Sequence, residues 1–92
     1  MNEKLIEKKL VKAARKVGGD ALKLWPISFT GLPDRLVVLP GGKVFFAELK
    51  STGEQLRLRQ VVVITWLRKL GFKVWVIDDQ STLDEFIKSW SI

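Results

Sequence analysis

Two apolar runs in the middle of the chain are separated by only three residues, and this spacing constrains the fold more than any other feature. Arg35–Leu39 and Lys43–Leu49 are rich in valine, leucine and phenylalanine, as strands are. The Pro40-Gly41-Gly42 segment between them has the composition of a tight turn. The sequence therefore predicts a β-hairpin at the centre of the chain.

Helical patterns lie on both sides of this hairpin. Apolar residues recur at helical spacing through residues 3–17, and Gly18-Gly19 marks the end of that segment. A second helix is expected to end at about Leu70. Its start is open between Gly53 and Leu58, because the residue before Leu58 is an arginine and a poor N-cap.

The remaining segments complete an alternating pattern. Residues 21–29, with Pro26 among them, are typical of an irregular or edge strand, and residues 72–77 of a regular strand. The run 81–84 resembles the N-cap of a last short helix that ends at about Trp90. The order α-β-β-β-α-β-α predicts one α/β domain over residues 1–92, with a mixed sheet flanked by helices.

Composition narrows the chemistry that this domain can perform. The chain has no cysteine, histidine or tyrosine, which excludes thiol nucleophiles, disulfides, the usual zinc sites, serine-histidine triads and histidine bases. An enzyme of this composition would depend on carboxylates, lysine, hydroxyl groups and a bound metal.

The net charge of +6 favours a polyanionic partner, most commonly nucleic acid. The charged N-terminus and short apolar stretches predict a cytoplasmic protein with no membrane partner.

Acidic and basic residues interrupt the central hairpin near its open end. Glu48 and Lys50 share one face of their strand because side chains two apart point the same way, and Asp34 directly precedes the partner strand. Two carboxylates and a lysine suit a magnesium-dependent phosphodiester hydrolase. Asp34 shares the face of Glu48 only if the hairpin loop has odd length or a bulge lies near Pro33, and we expect one of these two arrangements.

The first helix offers a further carboxylate and a row of cations. Glu7 lies at the border between the apolar stripe and the basic face, and Glu3, in the first turn, ranks second to it. The basic face is a candidate phosphate contact, and it consists of Lys4, Lys8, Lys12 and Arg15. Four further candidate DNA contacts lie elsewhere in the chain: Lys23, Arg35, Arg57 and Arg59.

Several short motifs occur together in an order that resembles a known family. They are Glu7 on the first helix, Gly31-Leu32-Pro33-Asp34, Glu48-Leu49-Lys50, and Gln60 on the next helix. This order, over nearly the whole chain, resembles the VRR-NUC (virus-type replication-repair nuclease) branch of the PD-(D/E)xK nucleases. The resemblance implies a restriction-endonuclease-like core.

The resemblance also implies roles for individual residues. Glu7, Asp34, Glu48 and the Leu49 carbonyl would bind Mg²⁺ or Mn²⁺. Lys50 would position or activate the attacking water, and Gln60 would support it, so the implied catalytic residues are Asp34, Glu48, Lys50 and Gln60.

Small phage-type members of this family look like homodimeric endonucleases that act on branched DNA such as four-way junctions or flaps. The expected partners are therefore branched DNA and a second copy, in the cytoplasm of a host cell. One or two of the four tryptophans are expected at a subunit interface, and Trp25 is the candidate for base stacking. A non-catalytic nucleic-acid-binding module and a protein that binds an acidic partner remain as alternatives.

Overall fold

The predicted order of elements is confirmed by a computed structural model, which describes residues 1–25 and 28–92. A 3₁₀ turn, Pro40–Gly42, joins the two hairpin strands. The helices and strands are α1 (Glu3–Lys16), β1 (Asp20–Lys23), β2 (Arg35–Leu39), β3 (Lys43–Leu49), α2 (Leu58–Lys69), β4 (Val74–Ile77) and α3 (Gln80–Ser89).

The four strands form one mixed sheet with the order β1-β2-β3-β4. The first three strands are antiparallel, and β4 pairs with β3 in parallel after the α2 crossover. Helices α1 and α3 cover one face of the sheet, and α2 covers the other. The expected mixed sheet flanked by helices is therefore confirmed.

Strand alternation divides the apolar side chains between two cores. Ala21, Val37 and Phe45 pair across β1, β2 and β3 and belong to the larger core beneath α1 and α3. Phe46 and Val74, which also pair, belong to the smaller core beneath α2. Successive residues on a strand point to opposite faces of the sheet. Alternate residues therefore pack beneath α1 and α3, and the residues between them pack beneath α2.

The hairpin loop has the odd length that the site requires. Leu39 pairs with Lys43, so three residues form the turn, and Gly41 and Gly42 adopt φ values of 81° and 74°. Residues other than glycine rarely adopt this backbone conformation. The register places Arg35 opposite Ala47, and continuing it by one residue places Asp34 opposite Glu48. The first of the two expected arrangements, an odd loop, is confirmed.

Several element ends differ from the sequence expectation, and the start of α2, which the sequence left open, is now defined. β1 ends at Lys23, well before residue 29, and the predicted position of Pro26 lies outside the described residues. α2 begins at Leu58. The backbone N–H of Arg57, the residue before the helix, donates a hydrogen bond to the Gln60 side chain at 2.8 Å, and this contact takes the place of a conventional N-cap. α3 begins at Gln80 rather than near residue 81, since the side chain of the preceding residue, Asp79, provides its cap.

The helices of the described part of the chain are too short and too polar to cross a membrane.

The tryptophans are distributed over distinct environments. Trp90 is buried, Trp75 packs against the larger core, Trp66 is about half exposed, and Trp25 is largely exposed. Trp66 and Trp25 therefore remain accessible to a partner.

Candidate active site

Asp34 and Glu48 lie opposite each other at the open end of the hairpin. By strand alternation both belong to the face of the sheet that α2 covers. Asp34 is held on two sides, because its Oδ2 accepts a hydrogen bond from the Leu49 N–H at 2.9 Å and its carbonyl accepts one from the Leu24 N–H at 2.9 Å. The hairpin thus brings together the two carboxylates that the sequence indicated.

Glu48 is an acidic side chain buried in the protein interior, with only 2% of its surface exposed. Its Oε2 accepts a hydrogen bond from Gln60 Nε2 at 2.9 Å and lies 3.5 Å from Lys50 Nζ. Among residues 1–25 and 28–92, its buried Oε1 has no hydrogen-bond partner. A carboxylate oxygen without a partner is costly to bury, so Oε1 is available to a ligand that approaches this site.

The environment of Glu48 disfavours its ionised form. Burial raises the pKa of Glu48 to about 7, and the nearby Asp34 carboxylate adds to the effect, whereas Lys50 opposes it. A positively charged ligand would favour the ionised form of Glu48 and oppose the effects of burial and of Asp34. The site is therefore arranged to bind a cation more strongly as the pH rises.

Gln60 connects the start of α2 to the carboxylate pair. Its Oε1 accepts the hydrogen bond from the Arg57 N–H and its Nε2 donates to Glu48. Lys50, also buried, follows Glu48 by two residues and lies on the same face of β3. The structure thus brings together Asp34, Glu48, Lys50 and Gln60, with the Leu49 backbone between them.

Glu7 is not part of this group in the structure, and its role as a metal ligand stays a prediction. Its carboxylate forms an ion pair with Arg35 at 2.8 Å, and this contact holds the pKa of Glu7 below its usual range. The physical reason is sheet parity. Arg35 pairs with Ala47 in the core beneath α1, whereas the Asp34 and Glu48 side chains belong to the opposite face. Among the described residues, no three metal-binding side chains lie together, so the predicted three-carboxylate set is not assembled.

Glu3, which ranked second in the sequence, lies closer to the site. Its backbone N–H donates to Ser51 Oγ at 3.2 Å, which ties the first turn of α1 to the residues that follow β3. Burial raises the pKa of Glu3, and the Asp34 carboxylate raises it further. The charge of Glu3 also contributes to the raised pKa of Glu48. No local pattern in the sequence indicates this contact, because it depends on where the end of β3 meets α1.

The donor atoms at the site fit a hard divalent cation. Asp34 and Glu48 supply two carboxylates, and the buried Glu48 Oε1 lacks a hydrogen-bond partner in the part of the chain that the structure describes. Mg²⁺ and Mn²⁺ prefer oxygen ligands and commonly use one or two carboxylates while they retain water. Two protein carboxylates are therefore sufficient for such an ion, although Glu7 does not join them.

The predicted DNA-contacting cations fall into two groups. Lys4, Lys8 and Lys12 are exposed and line an open groove of about 660 Å³ along α1 together with Arg15. The other exposed candidates are Lys23 on β1, and Arg57 and Arg59 at the start of α2.

Arg35 is the predicted DNA contact whose side chain is engaged within the protein. Its side chain is only 12% exposed and is engaged by Glu7 and by the Ala21 carbonyl, to which it donates a hydrogen bond at 2.9 Å. The register places Arg35 beneath α1, so its guanidinium joins that helix to the sheet and is not free for phosphate.

Comparisons with known proteins agree with this geometry. No protein-family model matches the sequence. A relative from Acyrthosiphon pisum secondary endosymbiont phage 1, named "Putative nuclease p44", is 44% identical over 80 residues, which span 87% of this chain and 86% of that protein. A solved structure described as a VRR_NUC domain superposes with a TM-score of 0.86 and 29% identity over 94% of both chains. The chain belongs to the VRR-NUC family of the PD-(D/E)xK nuclease superfamily.

Proposed function

We propose that this protein is a metal-dependent DNA endonuclease that hydrolyses phosphodiester bonds in branched DNA. The observation that carries the proposal is the buried Glu48 carboxylate, which lies beside Asp34 and Lys50 and has one oxygen without a hydrogen-bond partner among the described residues. A lone buried carboxylate is destabilising unless a cation or a proton compensates it. Family membership supports nuclease chemistry for the chain.

Asp34, Glu48 and the Leu49 carbonyl are the groups that would hold Mg²⁺ or Mn²⁺. When bound, the ion would acidify a water molecule and offset negative charge on the phosphate. Glu3 is better placed than Glu7 to assist from α1, since its charge acts on Asp34 and Glu48. Glu7 instead anchors Arg35 and keeps α1 in place over the sheet.

Lys50 and Gln60 have separate tasks in this proposal. The Lys50 ammonium lies 3.5 Å from Glu48 Oε2, where it orients a water molecule and holds positive charge near the phosphate. Gln60 donates to the same oxygen at 2.9 Å and fixes the orientation of the carboxylate, so that Oε1 is the atom left for the cation. Gln60 is thus a positioning residue.

The exposed cations of α1 support DNA as the substrate. Lys4, Lys8 and Lys12 lie one turn apart along a single groove, a spacing that can follow a phosphate backbone. The net charge of +6 favours the same ligand. We place its action on phage or host DNA in the cytoplasm of a host cell.

We also propose that the protein acts as a homodimer through the outer face of α2. This face exposes large apolar side chains with exposed fractions of 42–80%: Leu58, Val61, Val62, Trp66 and Leu70. Together they present on the order of 500 Å² of apolar surface, a large part of the ~800 Å² per partner that stable interfaces bury. A second copy is the favoured occupant, because two symmetry-related sites can cut both strands of a junction.

A cleavage experiment tests the enzymatic proposal. End-labelled linear duplex, flap and four-way-junction DNA are incubated with the protein in EDTA, Mg²⁺ or Mn²⁺. Lys50→Ala is expected to abolish cleavage while it retains DNA binding, and Lys88→Ala, an exposed lysine on α3, serves as the matched control. A wild-type protein that binds DNA but cleaves no substrate with either metal would instead be a non-catalytic binding module.

A mass measurement tests the dimer. Light scattering after gel filtration should give twice the 10.5 kDa chain mass. Val62→Lys, on the proposed interface, should give the mass of one chain, whereas Val44→Lys, on the exposed side of β3, should leave the dimer intact. A monomeric wild-type protein at micromolar concentration would refute the interface.

A further inference from the structure

The loop that leads into Asp34 is held against α2 by the side chain of Arg59, in the first turn of that helix. The Arg59 Nε–H donates a hydrogen bond to the Thr30 carbonyl at 3.3 Å. The guanidinium carbon of Arg59 lies 5.3 Å from the centroid of the Phe29 ring, within the range of a cation–π contact. Arg59 therefore contacts two successive residues of the loop, one through its backbone and one through its side chain.

The next residue of the loop also packs on α2. Gly31 has a φ of +86°, and a Cβ atom there would lie 2.9 Å from both the Cγ and the carbonyl oxygen of Arg59. The loop backbone thus lies directly against the helix. The Phe29 ring in turn stacks on Trp66, with 5.8 Å between the ring centroids. Residues 29–31 therefore all contact α2.

Two residues connect this contact to the active-site aspartate. Leu32 packs against the smaller core beneath α2, and Pro33 is fully buried. The proline ring also fixes φ at its own position. Because the connection is short and both of its side chains are packed, the position of Gly31 on α2 determines where Asp34 lies.

The same turn of α2 holds the second carboxylate. Gln60, the residue after Arg59, donates to Glu48 Oε2 at 2.9 Å. Two neighbouring residues of one helical turn therefore hold both acidic groups, since Gln60 contacts Glu48 directly and Arg59 holds the loop of Asp34. The hydrogen-bonded helix backbone keeps these two attachment points at a fixed separation.

We propose that Arg59 is a positioning residue that keeps Asp34 opposite Glu48 by holding residues 29–31 against α2. The consequence for catalysis rests on the proposed nuclease function, whereas the contact itself is a property of the protein without metal or DNA. Arg59 is exposed and was a candidate DNA contact, but its Nε–H and its guanidinium plane already engage the loop. Its task in this proposal is to align the site.

Hydrogen exchange in EDTA tests the proposal without any catalytic reaction. The Leu49 N–H reports the position of Asp34, because it donates to Asp34 Oδ2 at 2.9 Å. The next amide, Lys50 N–H, donates to the Ile77 carbonyl at 3.0 Å and serves as the internal reference. Arg59→Ala is expected to speed exchange at Leu49 by about tenfold and at Lys50 by less than about twofold, as the loss of one hydrogen bond and one exposed cation–π contact predicts.

Two further variants separate position from charge. Phe29→Ala removes the ring that Arg59 contacts and leaves the net charge unchanged, and it should give the same selective increase at Leu49. Lys69→Ala removes one positive charge from the exposed end of α2 and is the matched control, with no change expected. Under cleavage conditions, Phe29→Ala should lower kcat by about tenfold and leave the KM for DNA nearly unchanged.

The outcomes distinguish this inference from the proposed function. Equal acceleration of both amides by Arg59→Ala, or acceleration of neither, overturns the positioning role. Weaker DNA binding by Arg59→Ala with an unchanged Leu49 amide also overturns it, since Arg59 would then be a DNA contact only. A selective increase confined to variants of altered oligomeric mass would assign the loop to the subunit interface instead and has the same effect. If the wild-type protein cleaves nothing, the nuclease proposal fails, but the exchange data still decide whether Arg59 holds Asp34.

Discussion

Replacing Glu48 with glutamine should stabilise the metal-free protein, and the gain should grow with pH. The pKa of Glu48 is raised from 4.5 to about 7, mainly by burial and then by the Asp34 charge. Between these two values the folded protein binds a proton that the unfolded chain has already released. Stability therefore falls as the pH rises through this window, because the folded state must eventually give up that proton.

The size of the effect follows from the same two pKa values. A change from 4.5 to about 7 costs about 3 kcal/mol of unfolding free energy at pH values well above 7, at about 1.4 kcal/mol per tenfold change in proton affinity. Glutamine is a neutral replacement of similar shape, and its amide oxygen can still accept the hydrogen bond from Gln60. Glu48→Gln should thus be about 3 kcal/mol more stable than the wild type near pH 8 and close to equal near pH 4.

Urea unfolding followed by tryptophan fluorescence, with EDTA present, measures this difference at a series of pH values. In a chain of this size, about 3 kcal/mol corresponds to a rise in Tm of about 10–20 °C. Glu85→Gln, which removes an exposed carboxylate from α3, should show no such growth with pH. Millimolar Mg²⁺ should then raise the stability of the wild type at high pH and leave Glu48→Gln nearly unchanged.

Two results would refute this reasoning. A stability difference that stays constant from pH 4 to pH 8 would mean that Glu48 does not change its protonation state as the structure requires. A variant less stable than the wild type at high pH would mean that the interaction of Glu48 with Lys50 outweighs the cost of burial. Either result would also remove the main support for a cation at this position.

Three further predictions concern residues around the site. Gly31→Ala should lower stability by about 2 kcal/mol in urea unfolding, because φ is +86° there and a Cβ atom would lie 2.9 Å from atoms of α2. Glu7→Ala should cost about 1 kcal/mol near neutral pH, because it removes the ion pair to Arg35 while the hydrogen bond from Arg35 to the Ala21 carbonyl remains, and because solvent screens a pair in which the Glu7 side chain is 37% exposed; the loss should disappear as the pH falls below the lowered pKa of Glu7. Gln60→Ala should reduce kcat by about tenfold or more with little change in DNA affinity, since it frees the orientation of Glu48; an unchanged kcat would contradict a positioning role.

The sequence was sufficient for the features that depend on local pattern. Helical spacing defined α1, and the two apolar runs defined the hairpin within one residue of its observed ends. Parity then predicted that Asp34 could face Glu48 only with an odd loop or a bulge, and the three-residue turn satisfies that condition. These inferences needed only the period of each element and the length of one turn.

The sequence failed where two elements meet in space. Glu7 and Arg35 were assigned to metal and DNA separately, although the structure pairs them with each other. The periodicity of α1 shows which side faces the sheet, but not how far the helix slides along it or which strand residue it meets. Glu3 was ranked below Glu7 because it lies in the first turn of α1. The sequence does not show that this turn lies beside the end of β3.

The loop at Pro40–Gly42 lies at the opposite end of the hairpin from Asp34 and Glu48, yet its length determines whether the two carboxylates meet. Insertion or deletion of a single residue there would move every side chain of one strand to the other face of the sheet. Substitutions in the loop should therefore be tolerated wherever the positive φ values are respected, whereas a change of one residue in length should eliminate activity from a distance. In an alignment of relatives, the residues of this turn should vary in identity. Its length should change only in steps of two residues, so single-residue gaps should not occur.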